Sequence, residues 1–292
     1  MQIVLQYLMD WSPKMNIKLI ATDVDGTLVE DDHLTIPPIN INAFRKAKEN
    51  GALIAVSTGR PYSLTKRECD LLGCVDYLIL SNGAAVVDMH SKKVLCSCYL
   101  PFKSLEKIVS VFEKYPLVYE IYADGAGYIT DYTYEHYYEA KGLPEVFLTE
   151  YRKIMERCSS PWDIINTKNV EKFNVSHIPD ECIEPLMKDL SEIPDLVYSA
   201  GYKGNMEITA VGADKGKGLK WLADYLGIDS ENIMAFGDSG NDATMLEYAG
   251  CSYALKTGND LAKEKAKFIT TEGNADGGVG ITIEGWLKNE KI

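Results

Sequence analysis

Apolar and polar positions alternate in short blocks along the first eighty residues. The run at 17–22, Ile-Lys-Leu-Ile-Ala-Thr, predicts a buried strand. A polar stretch follows at 30–33, then Pro37-Pro38 opens a predicted helix through Phe44 and Ala47 that Gly51 closes. The runs at 52–56 and 77–80 predict two more strands, with a helix between them that starts at Pro61 and ends at Gly73. Strands alternating with helices predict a parallel sheet with helices on both faces, a Rossmann-like α/β fold.

The pattern changes after Asn82-Gly83. Residues 84–100 predict a hairpin that turns at His90-Ser91-Lys92-Lys93, and Pro101 opens an amphipathic helix through Leu105, Ile108, Val109 and Phe112. Extended segments near 117–122, 127–130, 172–177 and 196–199, with a helix near 183–190, read as a second, α+β unit. The α/β pattern returns after Gly204, with a helical stripe at Leu219, Leu222, Ala223 and Leu226, a strand at 233–236 and a helix at 243–249. The predicted organisation is therefore a core of residues 1–84 and 201–292 interrupted by an insertion at 85–200. Residues 1–14 are expected to be an extra segment ahead of a fold that begins at Met15.

Composition narrows the function. A net charge of -13, without a basic patch, argues against nucleic acid and anionic membrane surfaces as partners. The apolar N-terminal stretch is too short to span a bilayer and lacks a basic leader. Seven scattered cysteines do not form a disulfide framework and suit a reducing, cytoplasmic setting; Cys96 and Cys98 read as strand residues rather than soft-metal ligands.

Four local strings carry chemistry, each placed at the end of a predicted strand or ahead of a helix. Ligands of open parallel sheets bind along that edge. Asp23-Val24-Asp25-Gly26-Thr27-Leu28 offers two carboxylates at i and i+2, one to attack and one to handle protons. Ser57-Thr58-Gly59-Arg60 offers a hydroxyl and backbone N–H groups at a helix start, a phosphate site or an ordinary cap. Lys215, in a glycine-rich loop, offers a point charge for a phosphoryl oxygen. Gly237-Asp238-Ser239-Gly240-Asn241-Asp242 adds two more carboxylates. Asp23, Asp25, Asp238 and Asp242 gathered in one place would repel one another unless a cation lay among them, and an all-oxygen carboxylate set suits Mg²⁺. Positioning and charge stabilisation are what phosphoryl transfer needs.

In kind, order and placement, these four strings resemble the motifs of the haloacid dehalogenase superfamily. From Met15 to about Leu287 the chain resembles its Cof-type branch, with local matches at Ser81–Ala84, Met206–Thr209 and Asn274–Gly280. The resemblance implies a large C2B-type cap inserted between the second and third motifs. It implies that Asp23 attacks phosphorus and that Asp25 protonates the leaving oxygen and then activates water. It further implies that Asp23, the Asp25 backbone carbonyl and Asp238 hold Mg²⁺, with Asp242 supporting the metal's waters. Ser57, Lys215 and Asn241 would hold the phosphoryl oxygens, with backbone N–H groups of Thr58 and Gly59. The loop Lys256-Thr257-Gly258-Asn259-Asp260 departs from the branch, so no role is carried over for it.

The expected function is hydrolysis of a small phosphorylated metabolite, a sugar phosphate or a phosphorylated cofactor. The alternatives are a phosphomutase, which needs a bisphosphate activator, and a non-catalytic binder of phosphometabolites, which the intact carboxylate set disfavours. Nine of the 18 tyrosines fall between Tyr115 and Tyr151, where they either line a substrate pocket or pack a small sheet.

Overall fold

The computed structural model describes residues 16–139, 143–199 and 204–288. The extra segment expected at residues 1–14 lies outside these. Five strands come first: β1 (Leu19–Thr22), β2 (Leu53–Ser57), β3 (Tyr77–Leu80), β4 (Ala85–Asp88) and β5 (Lys93–Ser97). The next six form a separate sheet: β6 (Val118–Ala123), β7 (Ala126–Thr130), β8 (Glu156–Cys158), β9 (Val170–His177), β10 (Leu196–Ser199) and β11 (Met206–Ala210). The last three, β12 (Ile233–Gly237), β13 (Cys251–Ala254) and β14 (Phe268–Ile269), return to the first sheet, whose order is β14-β13-β12-β1-β2-β3-β4-β5.

The first sheet is the expected α/β layer. Its strands pair in parallel from β14 to β3, and β4 and β5 extend it as an antiparallel hairpin. Alternate residues of each strand feed opposite faces, as the pleat requires. Ile20, Ile54, Val56, Met234 and Phe236 pack on one side against Ala43, Phe44 and Ala47 of α1 (Pro38–Glu49). Leu19, Ala21, Ala55, Ile233 and Ala235 pack on the other against Leu219, Leu222 and Ala223 of the helix Lys215–Leu226.

The second sheet has the order β10-β11-β9-β6-β7-β8 and is wholly two-sided. Ile121, Phe173 and Ile208 lie on a face covered by the helices Phe102–Phe112 and Asp180–Ser191. The intervening positions form cross-strand rows on the opposite face, Glu120–Asn174–Glu207 and Tyr122–Lys172–Thr209. That polar face looks toward the first sheet.

The chain changes sheet at different points from the expected limits of 85 and 200. Residues 85–97 extend the first sheet, because the tight turn at Ser81–Gly83 sends β4 back along β3. Met206–Ala210 pairs with β9 and β10 in the second sheet. The crossings lie near 98–101, where Leu100 N donates to Val170 O (2.9 Å), and near 211–214. Among the described residues no helix is long and apolar enough to cross a membrane.

Candidate active site

Strands β1 and β12 are parallel neighbours with Thr22 opposite Phe236, so Asp23 and Asp238 leave the sheet side by side. Asp23 N donates to Phe236 O (3.0 Å) and fixes the exit. The chain then turns on Gly26 at φ +74°, where a Cβ would stand 2.6 Å from Asp238 Oδ2. The DVDG glycine is therefore required both by the left-handed turn and by the close approach of the second aspartate. Thr27 Oγ1 donates to Asp238 Oδ1 (2.8 Å) and holds that carboxylate in place.

Lys215 begins its helix behind Asp214, whose Oδ1 caps Lys217 N (2.7 Å). Its ammonium is buried between two carboxylates, donating to Asp23 Oδ1 (2.6 Å) and Asp242 Oδ1 (2.7 Å). Asp242 is itself fully buried, and its Oδ2 accepts from the Asp238 and Ser239 backbone N–H groups (3.0 Å each). The 256–260 loop lies directly behind this turn, with Asn259 N donating to Asp238 O (2.8 Å).

Charge in this nest is unbalanced. Carboxylate oxygens of Asp23, Asp238 and Asp242 lie within 4.8 Å of one another with one ammonium among them. Burial and then the Asp242 charge push Asp23 well above the usual carboxylate range, with Lys215 pulling the other way. The same two causes push Asp238 up to about 7, against Thr27 and Lys215. Burial works against the Lys215 charge, yet Asp23 and Asp242 hold its pKa well above the lysine range.

The set fits a hard divalent cation by its donor chemistry. Asp23 Oδ2 and Asp238 Oδ2 have no hydrogen-bond donor among the described residues, whereas every Asp242 oxygen is engaged. Asp23 and Asp238 thus each keep an open carboxylate oxygen, and Asp242 braces the turn that carries Asp238.

Ser57 ends β2 one residue past the Thr22–Val56 pair, the level at which Asp23 leaves β1. Its hydroxyl is buried without a hydrogen-bond partner among the described residues, as expected of a group that waits for a ligand oxygen. Thr58 N–H, expected to serve the same ligand, is taken by Ile79 O (2.8 Å), so Gly59 is left as the backbone donor of that pair. Thr58 Oγ1 instead accepts from Arg60 N (3.2 Å).

Arg60 has a role that its position at the end of STGR did not signal. Its Nε donates to Asp25 Oδ2 (2.7 Å) and its Nη2 to Asp25 Oδ1, while His33 Nδ1 meets Asp25 Oδ1 at 2.7 Å. The guanidinium lies over the rings of Phe147 and Tyr151, 5.4 and 5.0 Å from their centroids, and Tyr151 Oη donates to Leu64 O (2.9 Å). Burial alone would raise the Asp25 pKa, but the Arg60 charge and the His33 and Arg60 hydrogen bonds outweigh it and hold the carboxyl well below its usual range.

A cavity of about 240 Å³ opens between the two sheets. Asp23, Asp25, Asp238 and Asn241 line one wall; Glu120, Tyr122, Lys172, Asn174 and Glu207 line the other. The five residues of this far wall come from the polar face of the second sheet, a face legible only once its strands are in register. Of the clustered tyrosines, Tyr122, Tyr137 and Tyr151 reach the cavity, while Tyr119 and Tyr128 pack in the second sheet's apolar core. All seven cysteines are free thiols.

Comparison with known proteins agrees with this geometry. The family model described as haloacid dehalogenase-like hydrolase matches residues 20–283. The putative phosphatase YxeH of Bacillus subtilis is 33% identical over 273 residues, covering 89% of this chain and 95% of that one. The 5-amino-6-(5-phospho-D-ribitylamino)uracil phosphatase YitU of the same organism is 29% identical over 267 residues, covering 89% and 94%. A solved haloacid dehalogenase-like hydrolase from B. subtilis superposes with a TM-score of 0.77 at 26% identity, covering 92% of this chain and 99% of that one.

Proposed function

The chain belongs to the haloacid dehalogenase-like hydrolases, and from that premise we propose a Mg²⁺-dependent phosphatase that hydrolyses a small phosphorylated metabolite through an aspartyl-phosphate on Asp23. The observation that carries the reading is the Lys215 nest, where among the described residues one Asp23 carboxylate oxygen has no donor, at the same strand level as the orphaned Ser57 hydroxyl. Asp23, the Asp25 carbonyl and Asp238 would hold Mg²⁺, which when bound would supply charge neutralisation for the phosphoryl oxygens.

Asp23 Oδ2 forms the bond to phosphorus as the ester oxygen leaves with a proton from Asp25. Water then attacks the aspartyl-phosphate, giving its proton to Asp25, and Asp23 is released with inorganic phosphate. The Arg60 and His33 contacts favour the ionised form of Asp25, the form this second step needs. Ser57, Lys215, Asn241 and the Gly59 N–H hold phosphoryl oxygens.

The far wall suits an uncharged, hydrogen-bonding leaving group. Lys172 is paired with Glu207 and Arg60 with Asp25, while Glu120 adds a further carboxylate. Among the described residues a second phosphate would find no unpaired cation there, which favours hydrolysis of a monophosphate over a mutase working through a bisphosphate. A sugar phosphate or a phosphorylated cofactor meets these terms, and free thiols suit a cytoplasmic place for it. A phosphate-release screen over phosphorylated sugars, polyols and cofactors, run beside Asp23→Asn, tests the proposal. Release by the wild type that the variant also shows would sink the assignment of the nucleophile.

A further inference from the structure

We infer that Asn82 is a positioning residue: it ties the second sheet to Asn241 and so sets the phosphate-binding edge of that amide when the cavity is covered. The inference rests on the reading of Asn241 as a phosphate ligand.

Asn82 sits in the turn Ser81–Gly83 between β3 and β4. Ser81 (φ +50°) and Asn82 (φ +58°) are successive non-glycine residues in the left-handed region, and both are buried. Such backbone is costly and persists where its surroundings impose it. Here Ser81 N donates to Arg60 O and Asn82 N to Thr58 O, both at 3.0 Å, so the turn is pinned to the loop after β2. Ser81 Oγ donates to Glu171 Oε2 (2.5 Å) on β9, which adds a tie to the second sheet.

The conformation directs the Asn82 side chain between the two walls of the cavity. On the core side its Oδ1 accepts from Asn241 Nδ2 (3.2 Å). On the other side its Nδ2 donates to Glu207 Oε2 (2.8 Å) on β11, and Glu207 in turn pairs with Lys172 on β9. A Cβ on Gly59 would stand 3.0 Å from Asn82 Oδ1 and 3.2 Å from Lys172 Nζ, so this glycine leaves room for the bridge.

The consequence falls on Asn241. Its Oδ1 is engaged by Ser239 Oγ (2.7 Å) and one amide N–H by Asn82. The second N–H is what the amide has left to offer to the cavity it lines. Without Asn82, among the described residues only the Ser239 contact orients the amide, and the donor edge is free to turn away. Glu207 belongs to the second sheet, so the seating of that sheet holds Asn82, and Asn82 holds Asn241.

The test is a mutant cycle read by binding of inorganic phosphate, which has no leaving group to touch the second sheet. Asn82→Gly removes the side chain while suiting the left-handed backbone, so the turn should survive. Phosphate affinity is measured by titration calorimetry in Mg²⁺ buffer for the wild type, N82G, N241A and the double variant. Loss of one hydrogen bond to a charged ligand predicts a fall of roughly tenfold for either single variant. Residues acting through one contact predict a double variant no weaker than the singles. In the same assay Glu207→Gln changes phosphate affinity in the wild-type background by a factor that N82G removes. An N82G affinity within the error of wild type, or losses that multiply in the double variant, overturns the inference. Hydrolysis of p-nitrophenyl phosphate by the wild type is measured separately. A protein that shows the coupled binding but no turnover keeps the inference and loses the proposed function.

Discussion

Replacing Lys215 by Met tests the electrostatic core of the site. The ammonium and the Asp242 carboxylate have no exposed side-chain surface, and Asp23 has 5%. Met fills similar space and leaves both carboxylates buried without a cation. Breaking a buried pair by removing one partner costs about 3–5 kcal/mol. For a chain of this size that is a fall in melting temperature of roughly 6–10 °C. The loss should depend on pH. Asp23 and Asp238 already have raised pKa values, Asp238 about 7, and losing Lys215 raises Asp23 further. A carboxyl whose folded pKa is raised contributes stability below its unfolded pKa and loses it as pH rises through the folded value. The deficit of K215M against wild type should therefore be small at pH 5 and full at pH 7.5 in metal-free buffer. Added Mg²⁺ should recover part of it at pH 7.5, by taking the place of the missing positive charge. Thermal melts of both proteins at the two pH values, with EDTA or Mg²⁺, provide the measurement. A variant as stable as wild type at pH 7.5 without metal, or an equal deficit at pH 5, would refute the reasoning.

Three further outcomes are expected. Asp23→Asn should abolish phosphate release and leave metal-free stability equal to or above wild type, since a neutral amide replaces a buried carboxyl that favours its proton; phosphate assays and melts check both halves. EDTA should stop turnover and Mg²⁺ restore it, and the rise in melting temperature caused by Mg²⁺ should be larger at pH 8 than at pH 5.5, because Asp23 and Asp238 must shed protons to bind the ion. Arg60→Met should move the basic limb of the kcat/KM profile to higher pH, because without the charge that keeps Asp25 ionised the carboxyl retains the leaving-group proton to higher pH; an unmoved limb would separate Arg60 from Asp25.

What the sequence made legible follows from what each element is made of. The central strands β1, β2, β3 and β12 are unbroken apolar runs, and the catalytic strings lie at their ends, so local chemistry and fold agreed without tertiary information. Strand β11 was harder. Met-Glu-Ile-Thr-Ala alternates, and nothing local says that its polar face belongs to the cavity while Ile208 packs into the second sheet. Between 131 and 165 the described residues form three α-helices of five to ten residues, a 3₁₀ turn at Tyr137–Glu139 and a three-residue strand, a broken succession that periodicity marks poorly. The helix Gly278–Lys288 begins inside the local match at Asn274–Gly280, where two adjacent glycines give no helical signal. Thr58 was misjudged because a backbone donor's partner, Ile79 O, lies on a strand some twenty residues away.

The same distinction separates the two groups of site residues. Asp23, Asp238, Asp242 and Lys215 announce themselves because unpaired charge at strand ends demands an explanation. Arg60, Asn82, Lys172 and Glu207 do not, because each is fully partnered and its meaning lies in the partner. Arg60 joins Asp25 to the rings of Phe147 and Tyr151, and Asn82 joins Asn241 to Glu207. Both bridges run from a phosphate-handling residue of the first sheet to the insertion. Seating of the insertion and readiness of the chemistry are therefore linked through two independent side chains, one acting on the proton-transfer group and one on the phosphate amide. A ligand that fills the cavity without seating the second sheet should leave both groups unset, whereas cutting the Arg60 bridge alone should lower the rate of transfer and cutting the Asn82 bridge alone the affinity for phosphate.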